Sequence, residues 1–131
     1  MSESVSFERE YTAPPDRVWA AWTEFDLLTK WFGCGPGMLW NVHEWDVRVG
    51  GAIHVSLRFD TGPFEVKGEF LAVEPPRHLR YRWQADQIVD VRMESHGSGT
   101  RLRLVHSGLS EEECRFVDAG WGTALTQLGQ L

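Results

Sequence analysis

The stretch from Ser110 to Leu131 constrains the fold of this chain most. Ser110 is followed three residues later by Glu113, the spacing of a capping box in which each side chain satisfies a backbone N–H that a helix start leaves unpaired. Cys114, Val117, Trp121, Ala124, Leu125, Leu128 and Leu131 then recur at steps of three and four. That recurrence draws one apolar stripe along a helix of about 33 Å. Gly120, Gly122 and Gly129 each cost about 1 kcal/mol relative to Ala inside a helix, so propensity opposes this helix and burial has to hold it. The rest of the chain must therefore present a broad apolar surface. Trp121, between two glycines, marks either room left beside its indole or a close backbone approach.

Upstream, the apolar period is mostly two. Val5, Phe7 and Tyr11 alternate with Ser6, Glu8 and Glu10, which predicts a strand over residues 4–12. Pro14-Pro15-Asp16 ends it and opens a short helix with Val18, Trp19 and Trp22 on one side. Asp26 can cap a second short helix carrying Leu27, Leu28, Trp31 and Phe32. Gly33-Cys34-Gly35-Pro36-Gly37 reads as a chain reversal, because a phosphate loop would need a Gly-Lys-Ser/Thr sequel and a preceding parallel strand. Trp45, Val47 and Val49, then Gly50-Gly51, then Ile53, Val55, Leu57 and Phe59 predict a hairpin. A longer strand from Phe64 to Glu74 is broken by Pro75-Pro76. Leu79, Tyr81 and Trp83 mark the buried face of the next strand, Val89, Val91 and Met93 that of another, and Leu102, Leu104 and His106 that of the last.

The opposite faces of these strands carry rows of charge. Glu65, Lys67 and Glu69 fall beside Arg80 and Arg82, then Asp90, Arg92 and Glu94, then Arg101 and Arg103, so mostly acidic and basic rows alternate as a consecutive antiparallel meander with one wet face would have them. The expected architecture is α+β: a curved antiparallel sheet of about seven strands around a long C-terminal helix. Two short helices follow strand 1, and residues 1–131 form a single domain.

Composition narrows the function classes. At 131 residues, 42% hydrophobic and 24% charged, the chain suits one globular domain with a real core. A net charge of -6 gives no general attraction for nucleic acid or anionic lipid. No apolar run approaches the roughly 18 residues of a membrane span. The polar start Met1-Ser2-Glu3-Ser4 has no signal-peptide core, and cytoplasmic placement is expected. Cys34 and Cys114 are expected as reduced, dispensable thiols. Seven Trp and seven Phe call for either a heavily packed core or the lining of an apolar cavity.

His43, His54, His78, His96 and His106 show no paired ligand spacing, so no metal or cofactor is expected. His106 shares inward parity with Leu102 and Leu104, which suits either a ligand contact or proton carrier, or a histidine satisfied by backbone or water. Asp46 and Arg48 point away from the apolar face and suit an ion pair at the Gly50-Gly51 turn. Nucleophilic catalysis finds no Gly-x-Ser-x-Gly elbow and no fixed partner for Cys34. The candidate ligand wall is aromatic: Trp31, Trp40, Phe59, Phe64, Phe70, Tyr81, Trp83 and Trp121, with Met93, His106 and Leu125 among them.

Several motifs in order resemble a known family. Ala13-Pro14-Pro15-Asp16-Arg17-Val18-Trp19, Trp31-Phe32, Asp46-Val47-Arg48-Val49-Gly50-Gly51, Gly68-Glu69-Phe70 leading to Glu74-Pro75-Pro76-Arg77-His78-Leu79, Gly99-Thr100-Arg101-Leu102 and Gly120-Trp121 are similar to the small domains related to the activator of heat-shock protein 90 ATPase, within the START-like or SRPBCC superfamily. The resemblance implies a helix-grip fold, an antiparallel sheet curled around a C-terminal helix over an apolar cavity. It implies a small hydrophobic or aromatic ligand as the first function. A cyclase- or hydrolase-like enzyme on the same cavity is the second, and a chaperone-linked protein-interaction module, with a protein partner or a homodimer, the third.

Overall fold

The computed structural model describes residues 3–32, 39–59 and 62–130, apart from the side chains of 39–40, 57–59, 62–64 and 116. In chain order the elements are β1 (Glu3–Tyr11), α1 (Pro15–Thr23), α2 (Phe25–Trp31), β2 (Leu39–Trp45), β3 (Ala52–Phe59), β4 (Gly62–Glu74), β5 (His78–Arg82), β6 (Ile88–His96), β7 (Gly99–Leu109) and α3 (Glu111–Leu128). The strands form one antiparallel seven-stranded sheet in the order β1-β7-β6-β5-β4-β3-β2, a meander from β2 to β7 closed on one side by β1. This is the α+β helix-grip arrangement.

Local chemistry explains the helix ends. Pro15 opens α1 where its missing N–H costs nothing, and Thr100 Oγ1 donates to the Ala13 carbonyl at 2.8 Å, tying the start of α1 to β7. The capping box of α3 forms as the spacing predicts: Glu113 N–H donates to Ser110 Oγ at 3.1 Å and Ser110 N–H to Glu113 Oε1 at 2.8 Å. Trp121, Ala124, Leu125 and Leu128 are its buried face. Against it, β5, β6 and β7 present Leu79, Tyr81, Val89, Val91, Leu102 and Leu104, all fully buried.

Some local expectations are corrected. Val47 and Val49 lie outside any strand: β2 ends at Trp45, and Gly50 N–H pairs with the Phe70 carbonyl of β4. Alternation alone cannot tell a short loop from a strand end, and Val49 is 69% exposed. Helix α2 begins at Phe25 with Glu24 as its N-cap, leaving Asp26 in the first turn. The charge rows hold for Arg82 facing Glu69, Arg80 facing Asp90, and Glu94 facing Arg101, but Arg92 faces Arg103. The β6–β7 turn sets that register by pairing His96 with Gly99, and the two arginines turn away to Asp90 at 3.3 Å and Glu8 at 3.1 Å. The expected reversal at residues 33–37, Cys34 and Leu131 lie outside the described residues. Cys114 is a free thiol. Among the described residues no helix is long and apolar enough to cross a membrane.

Candidate functional site

Elements distant in sequence bring their rings together beneath α3. The Trp22 ring of α1 lies 4.7 Å from Trp31 and 5.7 Å from Trp121. Phe32, just past α2, sits 5.6 Å from Trp31, 5.3 Å from Trp45, 5.7 Å from Trp83 and 6.1 Å from Trp121. Tyr81 adds contacts at 5.4 Å to Trp45, 5.7 Å to Phe70 and 6.2 Å to Trp83. Most pairs are edge to face, the arrangement the ring quadrupole favours, each worth about 0.5–1.5 kcal/mol beyond burial. Hydrogen bonds tie three of the indoles: Trp31 N–H donates to the Ala21 carbonyl at 2.9 Å, Trp45 N–H to the Trp22 carbonyl at 2.8 Å, and Trp121 N–H to His106 Nδ1 at 3.0 Å.

The last bond sets the state of His106. An indole nitrogen only donates, so Nδ1 must accept and Nε2 carries the proton, which it donates to Gln87 Oε1 at 2.8 Å. Gln87 Nε2 in turn donates to Glu113 Oε2 at 3.1 Å. A directed chain of donors thus runs from Trp121 through His106 and Gln87 to the carboxylate of the α3 capping box. Burial pushes His106 down to about 4, with Glu113 opposing, and the imidazole is neutral. Both of its nitrogens are engaged by side chains, and it positions the Trp121 indole.

Two polar atoms of the cluster have no such arrangement. Tyr81 Oη and Trp22 Nε1 are buried without a hydrogen-bond partner among the described residues. Burial alone holds the Tyr81 hydroxyl well above the ordinary phenol value, so it stays protonated.

Of the residues expected to line a site, Trp31, Phe70, Tyr81, Trp83 and Trp121 converge in this cluster, and Met93, Leu125 and His106 are buried in the same core. Trp40, Phe59 and Phe64 take strand positions in β2, β3 and β4, but their side chains lie outside the described residues. The expected wall omits Trp22, Phe32 and Trp45, although helix-face spacing and period-two parity already turned them inward. It also omits Gln87 and Glu113; a lone glutamine in a turn gives no sequence signal. The flanks of Trp121 are open: a Cβ at Gly120 or Gly122 would meet nothing within 4 Å, which removes close backbone approach as their explanation.

The opposite face of the sheet is ionic. Arg48 bonds Asp46 at 2.7 Å with both side chains exposed, the ion pair expected at that turn. His43 bonds Ser56, His54 bonds Glu65, His78 lies between Glu74 and Asp90, and His96 faces Glu10. No group of three or more metal-ligating side chains occurs among the described residues. An open groove of about 420 Å³ on this side is walled by Glu74, Arg77, His78, Arg92, Met93, Glu94, Arg101 and Arg103, mostly charged side chains where the cluster is aromatic.

Comparison with known proteins places this architecture. A family model described as Activator of Hsp90 ATPase homolog 1-like protein matches residues 12–131. Protein CV1439 from Chromobacterium violaceum is 28% identical, with 98% of this chain and 96% of that one covered and a TM-score of 0.87. CalU16 from Micromonospora echinospora is 31% identical, covering 98% of this chain and 75% of that one, with a TM-score of 0.75. The AHSA1-like protein from Aeromonas hydrophila shares the fold at 23% identity, over 98% of this chain and 90% of that one, with a TM-score of 0.81. No curated protein matches the chain.

Proposed function

The chain belongs to the Activator of Hsp90 ATPase homolog 1-like family, and we propose that it binds a small apolar or aromatic molecule between the sheet and α3. The observation that carries this reading is the convergence of Trp22, Trp31, Phe32, Trp45, Phe70, Tyr81, Trp83 and Trp121 under one helix. Sites for small molecules are lined mainly by such side chains, with a few polar groups to fix orientation. An enzyme on the same site draws no support from His106, whose ring is neutral and fully engaged. A docking module would be favoured by a contiguous apolar patch, whereas among the described residues the exposed large apolar side chains Phe25, Val49, Leu71 and Val105 sit on separate segments.

Calorimetric titration against a panel of neutral hydrophobic and aromatic molecules tests the reading. Micromolar binding, about -8 kcal/mol, is expected for at least one of them, and Trp121→Ala should weaken it about tenfold or more. If no member of the panel binds more tightly than about a millimolar, the small-molecule reading falls.

A further inference from the structure

Indole N–H and phenol O–H groups are donors that folded proteins seldom leave unpaired in their interior, since each gave up a bond to water on burial. Trp31, Trp45 and Trp121 obey that rule within the cluster. Trp22 and Tyr81 do not: both are 0% exposed, and neither Trp22 Nε1 nor Tyr81 Oη has a hydrogen-bond partner among the described residues. Resting on the small-molecule reading above, we infer that Tyr81 and Trp22, rather than His106, recognise the ligand, and that this ligand is an uncharged aromatic molecule carrying a carbonyl-type acceptor.

Each part follows from the groups in place. Trp22 Nε1 can only donate and the Tyr81 hydroxyl can donate as well as accept, so an acceptor is the one complement that suits both. Arg101 Nε also lacks a hydrogen bond among the described residues, but it lies on the opposite face and forms an ion pair with Glu8 at 3.6 Å as part of the ionic ladder. The buried polar side chains among the described residues are Gln87, Thr100 and His106, each committed to a neighbour. None of these carries a formal charge that could offset an anionic or cationic ligand. A carboxylate moved into this site would exchange its hydration for two neutral donors, a poor replacement, whereas a ketone, quinone or ester oxygen needs only one or two. The surrounding rings suit a flat partner. Trp45 touches both residues: its ring packs on Tyr81, and its N–H donates to the main-chain carbonyl of Trp22.

The test is a matched series on the intact protein: 2-acetonaphthone, its hydrocarbon analogue 2-ethylnaphthalene, and 2-naphthoate, titrated by calorimetry. The ketone should bind about tenfold more tightly than the hydrocarbon, the ratio one such hydrogen bond supplies, with naphthoate weakest. Tyr81→Phe and Trp22→Phe should each erode that preference, lowering the affinity for the ketone more than that for 2-ethylnaphthalene. Equal binding of ketone and hydrocarbon, a preference that survives both substitutions, or naphthoate matching the ketone overturns this inference and leaves the small-molecule reading standing. Silence from all three probes and from the wider panel overturns both. Thermal melting supplies a second readout. Tyr81→Phe removes a hydroxyl with no partner to lose, so it should melt no lower than the parent protein; a lower melting temperature would mean the hydroxyl is satisfied internally and would overturn the assignment.

Discussion

At the scale of single residues, His106 carries the most weight per atom. It accepts from Trp121 and donates to Gln87, and removing the imidazole leaves the Trp121 N–H and Gln87 Oε1 buried without these partners. His106→Leu should therefore destabilise the fold by about 2–4 kcal/mol in denaturant titration, from two orphaned groups at roughly 1–3 kcal/mol each. The same ring ties stability to pH. Its folded value, pushed down by burial from 6.5 to about 4, lies below the value of the unfolded chain, so the unfolded chain binds the proton first as pH falls. His106 contributes fully above pH 6.5 and loses that contribution progressively as pH drops to about 4. Protonation would also place a donor at Nδ1 against the Trp121 N–H, which cannot accept it. Melts of the parent and of His106→Leu between those limits should converge as pH falls; a constant gap would contradict the neutral assignment.

At the scale of elements, α3 is a helix held from outside. Its polar pins are Glu113 to Gln87 at 3.1 Å, Trp121 to His106 at 3.0 Å, and the Leu125 carbonyl accepting from Tyr11 Oη at 3.0 Å. They run from its first turn to its last, and burial pushes the Tyr11 hydroxyl up to about 12, so that pin stays protonated well into alkaline pH. Between the pins, Gly120 and Gly122 weaken the helix with no steric reason. Gly120→Ala and Gly122→Ala should each raise stability by about 0.5–1 kcal/mol, the helix-propensity difference alone. Gly129→Ala should not, because its Cβ would come within 3.2 Å of the Tyr11 ring. Chemical denaturation of the three variants decides the point: destabilisation at 120 or 122 would reveal a close contact there.

At the scale of the whole molecule, sheet and helix share one apolar core that runs from Val18 to Leu128. Helix α3 cannot leave that core without exposing Leu125 and Leu128 and breaking its pins, so its amides should exchange with those of β6 and β7 through global unfolding. Hydrogen exchange measures this directly; rapid exchange across Cys114 to Leu128 in the folded protein would mean that the helix opens by itself.

The sequence by itself determined what repeats along the chain. Period-two runs specified the strands other than β2, the step of three and four specified α3, and the Ser110-x-x-Glu113 spacing specified where it starts. Those signals are local, since side-chain direction follows from the backbone period wherever a strand or helix forms. They turned Trp31, Tyr81, Trp83, His106 and Trp121 inward, and they left Gln87 unmarked. Tertiary structure decided who meets whom. Gln87 and His106 become neighbours because the β6–β7 register brings Ile88 opposite Ser107 and Val89 opposite His106. Arg92 meets Arg103 for the same reason, against the alternation of charge. Which indoles find acceptors and which donors stay unpaired depends on rotamers within a packed cluster drawn from α1, α2, β2, β4, β5 and α3. No periodicity encodes that choice, because a buried hydrogen bond is satisfied or lost by displacements of under an ångström between groups far apart in the chain.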